Sequence, residues 1–451
     1  MTKKTMITLL IIGSINLFAQ KDTAFSKIPF DGMDLSWING QSRIKNTPLV
    51  VKDKNGETIL TSTAYIDSYF NYNFANQIDN TQTISSSIGR HKEAIINLAS
   101  VGVESYYKNA IGRLNIQYGA MQHIVQELDG SINRGRNTGT GNLKFIREAA
   151  AGYHFNKWYG VNIEAGIFMS YIGLESYMLQ DNWCYQRSMV CDFTPFYFQG
   201  ARIQMYPTKK IKQEVWLLNG WQTYNSFSKS PGIGSSTYYR HTENFQLVAN
   251  FYFGRDTQNP DTLGNQSNRL RFHHDNSIVA RYFNKAKSKS ISQGAFSVNS
   301  HYGFQHGMDK GDTITSKQNF MYGASITNRL WFNKNKIALS LRADYISNGG
   351  TYLAFSPSPV NPNDYTNSFN TDPYKPIEIM QGTATIDFMP NDYFTFRIEY
   401  GYRQANLPYF AGHGGTTSPS GWTNGPTTQA AWKPDLQKTE NRITLALNFR
   451  L

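Results

Sequence analysis

The sequence predicts an all-β protein: a transmembrane, antiparallel up-and-down β-barrel of about 16 strands, with short periplasmic turns and long extracellular loops. Three observations predict it. The N-terminus reads as an export leader, a period-two alternation of apolar and polar residues recurs to the last residue, and the connections between alternating stretches are short and long in turn.

The leader comes first. Lys3 and Lys4 form a basic head, and the run from Met6 to Phe18 is apolar apart from Thr8, Ser14 and Asn16, closing on Ala19-Gln20. Basic, then apolar, then small is the order of a secretory signal peptide, here residues 1–20. The run is too short for a membrane helix, which needs about 20 apolar residues, and no later segment could span a bilayer as a helix either. Mean hydropathy is −0.48. Yet aromatics reach 14% while charged residues make up only 17%. That combination is expected where lipid-facing and lumen-facing residues alternate, so that neither dominates the average. The expected location is the outer membrane of a Gram-negative bacterium.

The last eleven residues show the alternation most clearly. Ile443, Leu445, Leu447, Phe449 and Leu451 point one way, and Arg442, Thr444, Ala446, Asn448 and Arg450 the other. The pattern recurs upstream, where Arg113, Asn115 and Gln117 oppose Leu114, Ile116 and Tyr118, and Asn162 and Glu164 oppose Val161, Ile163 and Ala165. Ser340, Arg342 and Asp344 oppose Leu339, Leu341 and Ala343, while Thr395, Arg397, Glu399 and Arg403 oppose Phe394, Phe396, Ile398 and Tyr402. Charges placed repeatedly in mid-strand suit the wall of a water-filled lumen better than a packed apolar core.

Strands are expected at 62–75, 92–105, 111–121, 144–156, 159–171, 195–206, 211–223, 232–240, 244–254, 270–284, 290–304, 317–332, 336–348, 377–389, 393–406 and 439–451. Polar turns such as Lys108-Asn109, Lys209-Lys210 and Pro390-Asn391-Asp392 alternate with longer connections. The longest lie at 76–91, 122–143, 172–194, 349–376 and 407–438 and are rich in Gly, Ser, Asn, Thr and Pro. An even count puts both chain ends on the short-turn, periplasmic side. Residues 62–451 then form the barrel. Residues 21–61, with Asp34 to Gly40 as an extra strand or an extension, form a periplasmic N-terminal segment.

Particular stretches carry a family resemblance. Glu164 to Glu175 reads EAGIFMSYIGLE and leads through Asp181-Asn182-Trp183 and Arg187-Ser188 to Pro195-Phe196-Tyr197, Gly200-Ala201-Arg202 and Leu218-Asn219-Gly220-Trp221-Gln222. With Gly112-Arg113-Leu114 and Gln117-Tyr118-Gly119, this ordered series resembles the OmpL-like outer-membrane β-barrel porin family, most strongly over residues 60–300 and more loosely to the C-terminus. The resemblance implies a barrel, a pore and an ordered third external loop buried inside it, and names no solute.

Candidate site residues follow from these readings. The third long loop, 172–194, is the expected constriction, with Trp183, Tyr185 and Arg187 facing Arg113 and Arg202 on the wall. Glu164, Arg342, Arg397 and Glu399 complete the expected pore lining. Cys184 and Cys191, with six residues between them in the same loop and in an oxidising compartment, are a disulfide candidate that would stiffen it. Two thiols without a nearby His are too few for a metal. His273 and His274 are adjacent on a strand and so face opposite sides, which keeps them from converging on one ion; with Asp275 they read as loop-edge residues. Asp309-Lys310-Gly311-Asp312 lacks the spaced acidic ligands of a calcium loop. His413-Gly414-Gly415 has no G-x-S-x-G elbow to accompany it. No catalytic constellation, no metal site and no cofactor are expected.

Formal charge is +12, or +10 without Lys3 and Lys4. Arg147, Arg403 and Arg450 join the lumen-facing arginines named above, opposed by Glu164, Asp344 and Glu399, and arginine-lined pores favour anions. The expected function is a porin for passive diffusion of small hydrophilic solutes with a mild anion preference. Its partners would be outer-membrane lipids and those solutes, with no nucleic acid, in a form compatible with a homo-oligomer. Two alternatives stand beside it: a structural or adhesive barrel whose loops bind a partner, and a substrate-specific transporter marked by an aromatic track in its lumen.

Overall fold

The computed structural model describes residues 28–82, 85–131, 136, 138–226, 230–255, 270–306, 319–350, 352–353, 376–416 and 434–451. Sixteen antiparallel strands form the wall. They are β1 Thr58–Asn73, β2 Ala94–Tyr107, β3 Ala110–Tyr118, β4 Ile146–Phe155, β5 Val161–Met169, β6 Tyr197–Thr208, β7 Ile211–Leu218 and β8 Gly232–Thr242. The second half is β9 Phe245–Arg255, β10 Leu270–Asn284, β11 Ile291–His306, β12 Phe320–Phe332, β13 Ile337–Gly349, β14 Ile377–Phe388, β15 Phe394–Ala405 and β16 Thr439–Arg450. Each strand pairs with its sequence neighbours, and β16 closes on β1 through Arg442↔Asn73 to Arg450↔Tyr65. Closure leaves the wall no free edge, as the bilayer interior requires.

The short turns are built by residues that accept left-handed backbone. Lys108 and Asn109 both have positive φ (46° and 67°), the geometry of a two-residue turn whose twist matches that of its strands. Asn333, Lys334 and Asn335 do the same between β12 and β13.

Period-two alternation sorts side chains between lipid and lumen, and the result is inverted relative to a soluble protein. Leu114, Leu341 and Leu445 stand 48%, 55% and 39% exposed on the outside, while Arg271, Arg397, Arg403 and Arg442 are among the largest fully buried side chains. Such an apolar belt is stable only in lipid. Towards the long-loop end it is bordered by rings in cross-strand contact. Phe272 meets Phe304 at 5.4 Å between centroids, and Tyr322 meets Tyr345 at 6.1 Å, as in an interfacial aromatic girdle.

Two segments enter the barrel from opposite ends. The connection from β5 to β6, residues 170–196, folds inward and carries a short helix, Met189–Asp192. The segment from residue 28 to 49 packs into the short-turn mouth, burying Trp37, Ile38 and Asn39. They meet: the Trp183 amide donates to Asn39 Oδ1 (2.9 Å), Trp183 Nε1 donates to the Trp37 carbonyl (3.0 Å), and the Gly40 amide donates to the Asp181 carbonyl (3.1 Å). The strand β1 begins at Thr58, so part of the expected 21–61 extension is wall, and residues 50–52 add a short strand to it. The expected leader and Asp309–Asp312 lie outside the described residues.

Gly40 shows how tight this junction is. Its φ is +80°, and a Cβ there would sit 2.1 Å from the Leu174 carbonyl oxygen. Gly40→Val is therefore expected to destabilise the barrel by about 1–3 kcal/mol through overpacking, read as a lower urea midpoint in micelles by tryptophan fluorescence. An unchanged midpoint would show that the two segments do not depend on this contact.

Candidate functional site

A loop buried in a barrel faces a physical difficulty: its irregular backbone has no ladder to satisfy its N–H and C=O groups. Here the wall supplies them. The Arg397 guanidinium donates to the carbonyls of Leu179 (2.7 Å) and Asn182 (2.6 Å), Arg342 to that of Gln186 (2.6 Å), and Arg329 to that of Trp183 (2.9 Å). The acids take the amides. Glu399 accepts from the Tyr185 and Gln186 N–H groups (2.6 and 3.1 Å), and Asp344 from Met189 N–H (2.9 Å). Within the loop, Glu175 accepts from Ser188 N–H at 2.6 Å. The charges are also paired with one another: Arg329 and Arg397 with Asp387 at 2.7 and 3.0 Å, Arg342 with Asp344 at 2.9 Å, Arg403 with Glu440 at 2.6 Å, and Arg450 with Asp181 at 2.7 Å.

Across the lumen, on β2 to β7, a second polar row runs along the wall. Arg113 donates to Glu164 (2.5 Å) and lies 3.6 Å from Glu148. Arg202 pairs with the other oxygen of Glu164 (2.7 Å) and lies 3.7 Å from Glu214, which Lys212 approaches at 3.3 Å. Arg147 lies 3.7 Å from Glu148. Near the short-turn end of this row opens a cavity of about 260 Å³, lined among others by Thr61, Glu104, Arg113, His154 and Asn162.

The expected site residues thus fall into two groups. Trp183, Tyr185 and Arg187 come together with Arg342, Arg397 and Glu399. Arg113, Arg202 and Glu164 come together on the other side. Among the described residues no hydrogen bond or ion pair joins the two groups. Trp183 packs edge-on against Trp331 (5.6 Å), Tyr185 donates to Asp67 (3.0 Å), and the Arg187 guanidinium lies over the Phe196 ring (4.5 Å). All three are buried in the seam between loop and wall, away from open lumen.

Cys184 and Cys191 correct an expectation. Both are free and buried, so they form no disulfide. The Met189–Asp192 helix turns Cys191 towards β11, where its thiol donates to Asn299 Oδ1 (3.1 Å). Cys184 lies instead beside Thr385 of β14. His273, His274 and Asp275 are also placed differently: they belong to strand β10, not to a loop edge. His273 and Asp275 face inward and are buried, and His274 faces outward, as alternation requires. One cluster of lumen aromatics, Phe168, Tyr171, Phe198, Trp216, Trp221 and Tyr252, is packed on itself and buried, with Tyr171 stacked on Trp216 at 4.9 Å, and among the described residues this cluster forms no open track.

Several functional residues escaped the sequence reading. Arg329 and Asp387 sit on the polar phase of strands that were recognised, so the same alternation would have found them. Trp37 and Asn39 lie in the 34–40 stretch expected as an extra strand or an extension, but nothing local marks them as anchors of the loop, because their partners lie more than a hundred residues away in the chain.

A closed sixteen-strand wall with a lipid-facing apolar belt and a polar lumen narrowed by an infolded loop defines an outer-membrane porin. The chain belongs to the family described as putative beta-barrel porin-2, OmpL-like, whose model matches residues 60–448. Among solved structures it is similar to the outer membrane channel DcaP of Acinetobacter baumannii, at 9% identity, with 89% of this chain and 100% of that chain covered and a TM-score of 0.51. It is also similar to OmpT, an outer membrane protein of Vibrio cholerae (9% identity, 89% and 99% covered, TM-score 0.46), and to an anion-selective porin from Comamonas acidovorans (7% identity, 87% and 99% covered, TM-score 0.46). At these identities the likeness is one of fold. No curated protein matched the sequence. Family and fold point to a channel rather than an enzyme.

Proposed function

We propose that the protein passes small hydrophilic solutes by passive diffusion along the β2–β7 side of its lumen, with little preference for either sign of charge. The observation that carries this reading is the division of the lumen. The arginines of β12 to β16 are engaged by the infolded loop or by neighbouring acids, which leaves the row from Glu104 to Lys212 as the lining beside the cavity. In that row Arg113, Arg147, Arg202 and Lys212 stand against Glu148, Glu164 and Glu214, with Glu104 opposite Arg113 in the strand register, so the field along the path is close to balanced. The mild anion preference expected from net charge loses its basis, because the arginines that suggested it are paired. Export by the leader into a Gram-negative envelope belongs to the same proposal.

Liposome swelling tests the pore, and the reversal potential of the purified protein under a salt gradient tests its selectivity. Swelling with small sugars and a reversal potential near zero are expected. Glu164→Gln removes the one carboxylate shared by Arg113 and Arg202, and is expected to shift the reversal potential measurably towards anions. No solute entry would sink the diffusion reading, and marked selectivity in the wild type would sink the balanced row.

A further inference from the structure

On the inner face of β10 and β11, three potential metal ligands converge. His273 and Asp275 are two residues apart on β10 and so share one face, and His301 of β11 is directly opposite Asp275 in the strand register. All three are buried, and one ligand atom from each lies within 4.8 Å of the others. His273 Nε2 and His301 Nδ1 are 3.0 Å apart.

The surrounding hydrogen bonds constrain what those two nitrogens carry. The Tyr352 hydroxyl has one proton, within reach of both the Phe272 carbonyl (3.0 Å) and His273 Nδ1 (2.9 Å). When that proton goes to Phe272, Tyr352 Oη accepts from His273 Nδ1–H at 2.9 Å and a lone pair is left on His273 Nε2; when it goes to His273 Nδ1, Nε2 carries the proton. The Asn299 amide nitrogen donates to the Asn276 carbonyl (3.1 Å) and to Ser277 Oγ (2.9 Å), so its Oδ1 is an acceptor. That oxygen takes the proton of His301 Nε2 at 2.8 Å, which leaves a lone pair on His301 Nδ1. In the first of these arrangements two lone pairs face each other at hydrogen-bond distance, a donor pair that a bound cation would bridge.

Asp275 favours a bound cation independently. Its carboxylate is fully buried and accepts only from neutral donors, the Gly173 amide (3.2 Å) and the Asn250 side-chain amide (2.9 Å). Among the described residues no cation pairs with it, whereas Glu164, Asp344, Asp387, Glu399 and Glu440 on the inner wall each have an arginine beside them; Asp67 is likewise held by neutral donors. A buried carboxylate without a counter-ion is costly.

We propose that His273 Nε2, His301 Nδ1 and Asp275 bind a divalent transition-metal cation of the zinc class. Tetrahedral ligands held at about 2.0–2.1 Å from a metal stand roughly 3.3–3.4 Å apart, so the two nitrogens, 3.0 Å apart, need to spread by only a few tenths of an ångström to take one. Tyr352 and Asn299 act as the outer hydrogen-bonding partners that orient metal-binding histidines. Cys191 lies on the far side of His301, 3.9 Å from Nε2, and is occupied with Asn299, so it is not a ligand. Through the Gly173 amide, the site ties the root of the infolded loop to the wall. It lies apart from the solute path and does not depend on the porin reading.

The test uses the full-length barrel in detergent, stripped with a chelator and dialysed, then titrated with zinc alone by calorimetry. One zinc per chain is expected in the wild type and in His274→Gln, which alters the outward-facing neighbour. Affinity is expected to fall roughly tenfold or more in Asp275→Asn and further in His301→Gln. Heat-modifiable gel mobility establishes that each variant is folded. X-ray absorption of the zinc-loaded wild type supplies a readout that needs no variant, with two imidazoles and an oxygen ligand expected at the metal. Zinc uptake no greater in the wild type than in folded His301→Gln would overturn the proposal and leave a shared proton between the imidazoles. Sulfur scattering, or fewer than two imidazoles, would overturn it equally.

Discussion

Arg397→Ala is expected to release the tip of the infolded loop, lowering stability by about 3–5 kcal/mol, the usual consequence of removing one partner from a buried ion pair. The guanidinium is 1% exposed. It donates to Leu179 and Asn182 at 2.7 and 2.6 Å, reaches towards Gln180 and Cys184 at 3.4 and 3.5 Å, and lies beside Asp387. Truncation strands those carbonyls without donors, each at a cost of about 1–3 kcal/mol. Asp387 keeps Arg329 at 2.7 Å, so the wall itself remains paired and the damage is confined to the loop. Arg397→Lys is expected to recover only part of the loss, because a single ammonium cannot span carbonyls that a planar fork reaches together. In a planar bilayer the Ala variant should show larger and noisier single-channel conductance, since a detached loop tip no longer holds one position. Wild-type conductance together with a wild-type urea midpoint would mean that Arg397 does not anchor the loop.

That result bears on what the sequence could and could not reveal. Strand placement was legible because alternation is local: the tenth strand was expected at 270–284 and spans Leu270–Asn284. The rhythm of turns was legible for the same reason. The meaning of the inward charges was not. Whether an inward arginine meets water or a backbone carbonyl depends on a loop some two hundred residues away, as with Arg397 and Leu179. Alternation therefore identified Arg342 and Arg397 as inward-facing without showing that they face the loop. The cysteine pair is hidden for a similar reason, because six intervening residues do not reveal that a helical turn separates the two directions. The opposition of His273 and His274 was read correctly, but His301 lies on the next strand and only register brings it to Asp275.

The second large effect is expected from the N-terminal segment. Trp37 is 3% exposed; its Nε1 donates to the carbonyls of Asp34 (2.8 Å) and Glu243 (3.1 Å), and the Arg281 guanidinium lies over its ring at 5.1 Å. Trp37→Ala is expected to cost about 3–5 kcal/mol, typical of a buried aromatic cut to alanine. It should also raise conductance by loosening the short-turn mouth. Trp37 and Arg397 hold the same piece of loop from two sides, one through Trp183 and the other through Leu179 and Asn182. Their effects should therefore not add. Once either anchor is lost the tip is already loose, so the second substitution removes less, and a double-mutant cycle should give a coupling of about 0.5–3 kcal/mol in the sub-additive sense. Strict additivity in the urea midpoints would mean that the two anchors act on independent structures, and the plug would then be two bodies that touch rather than one that is clamped from both ends.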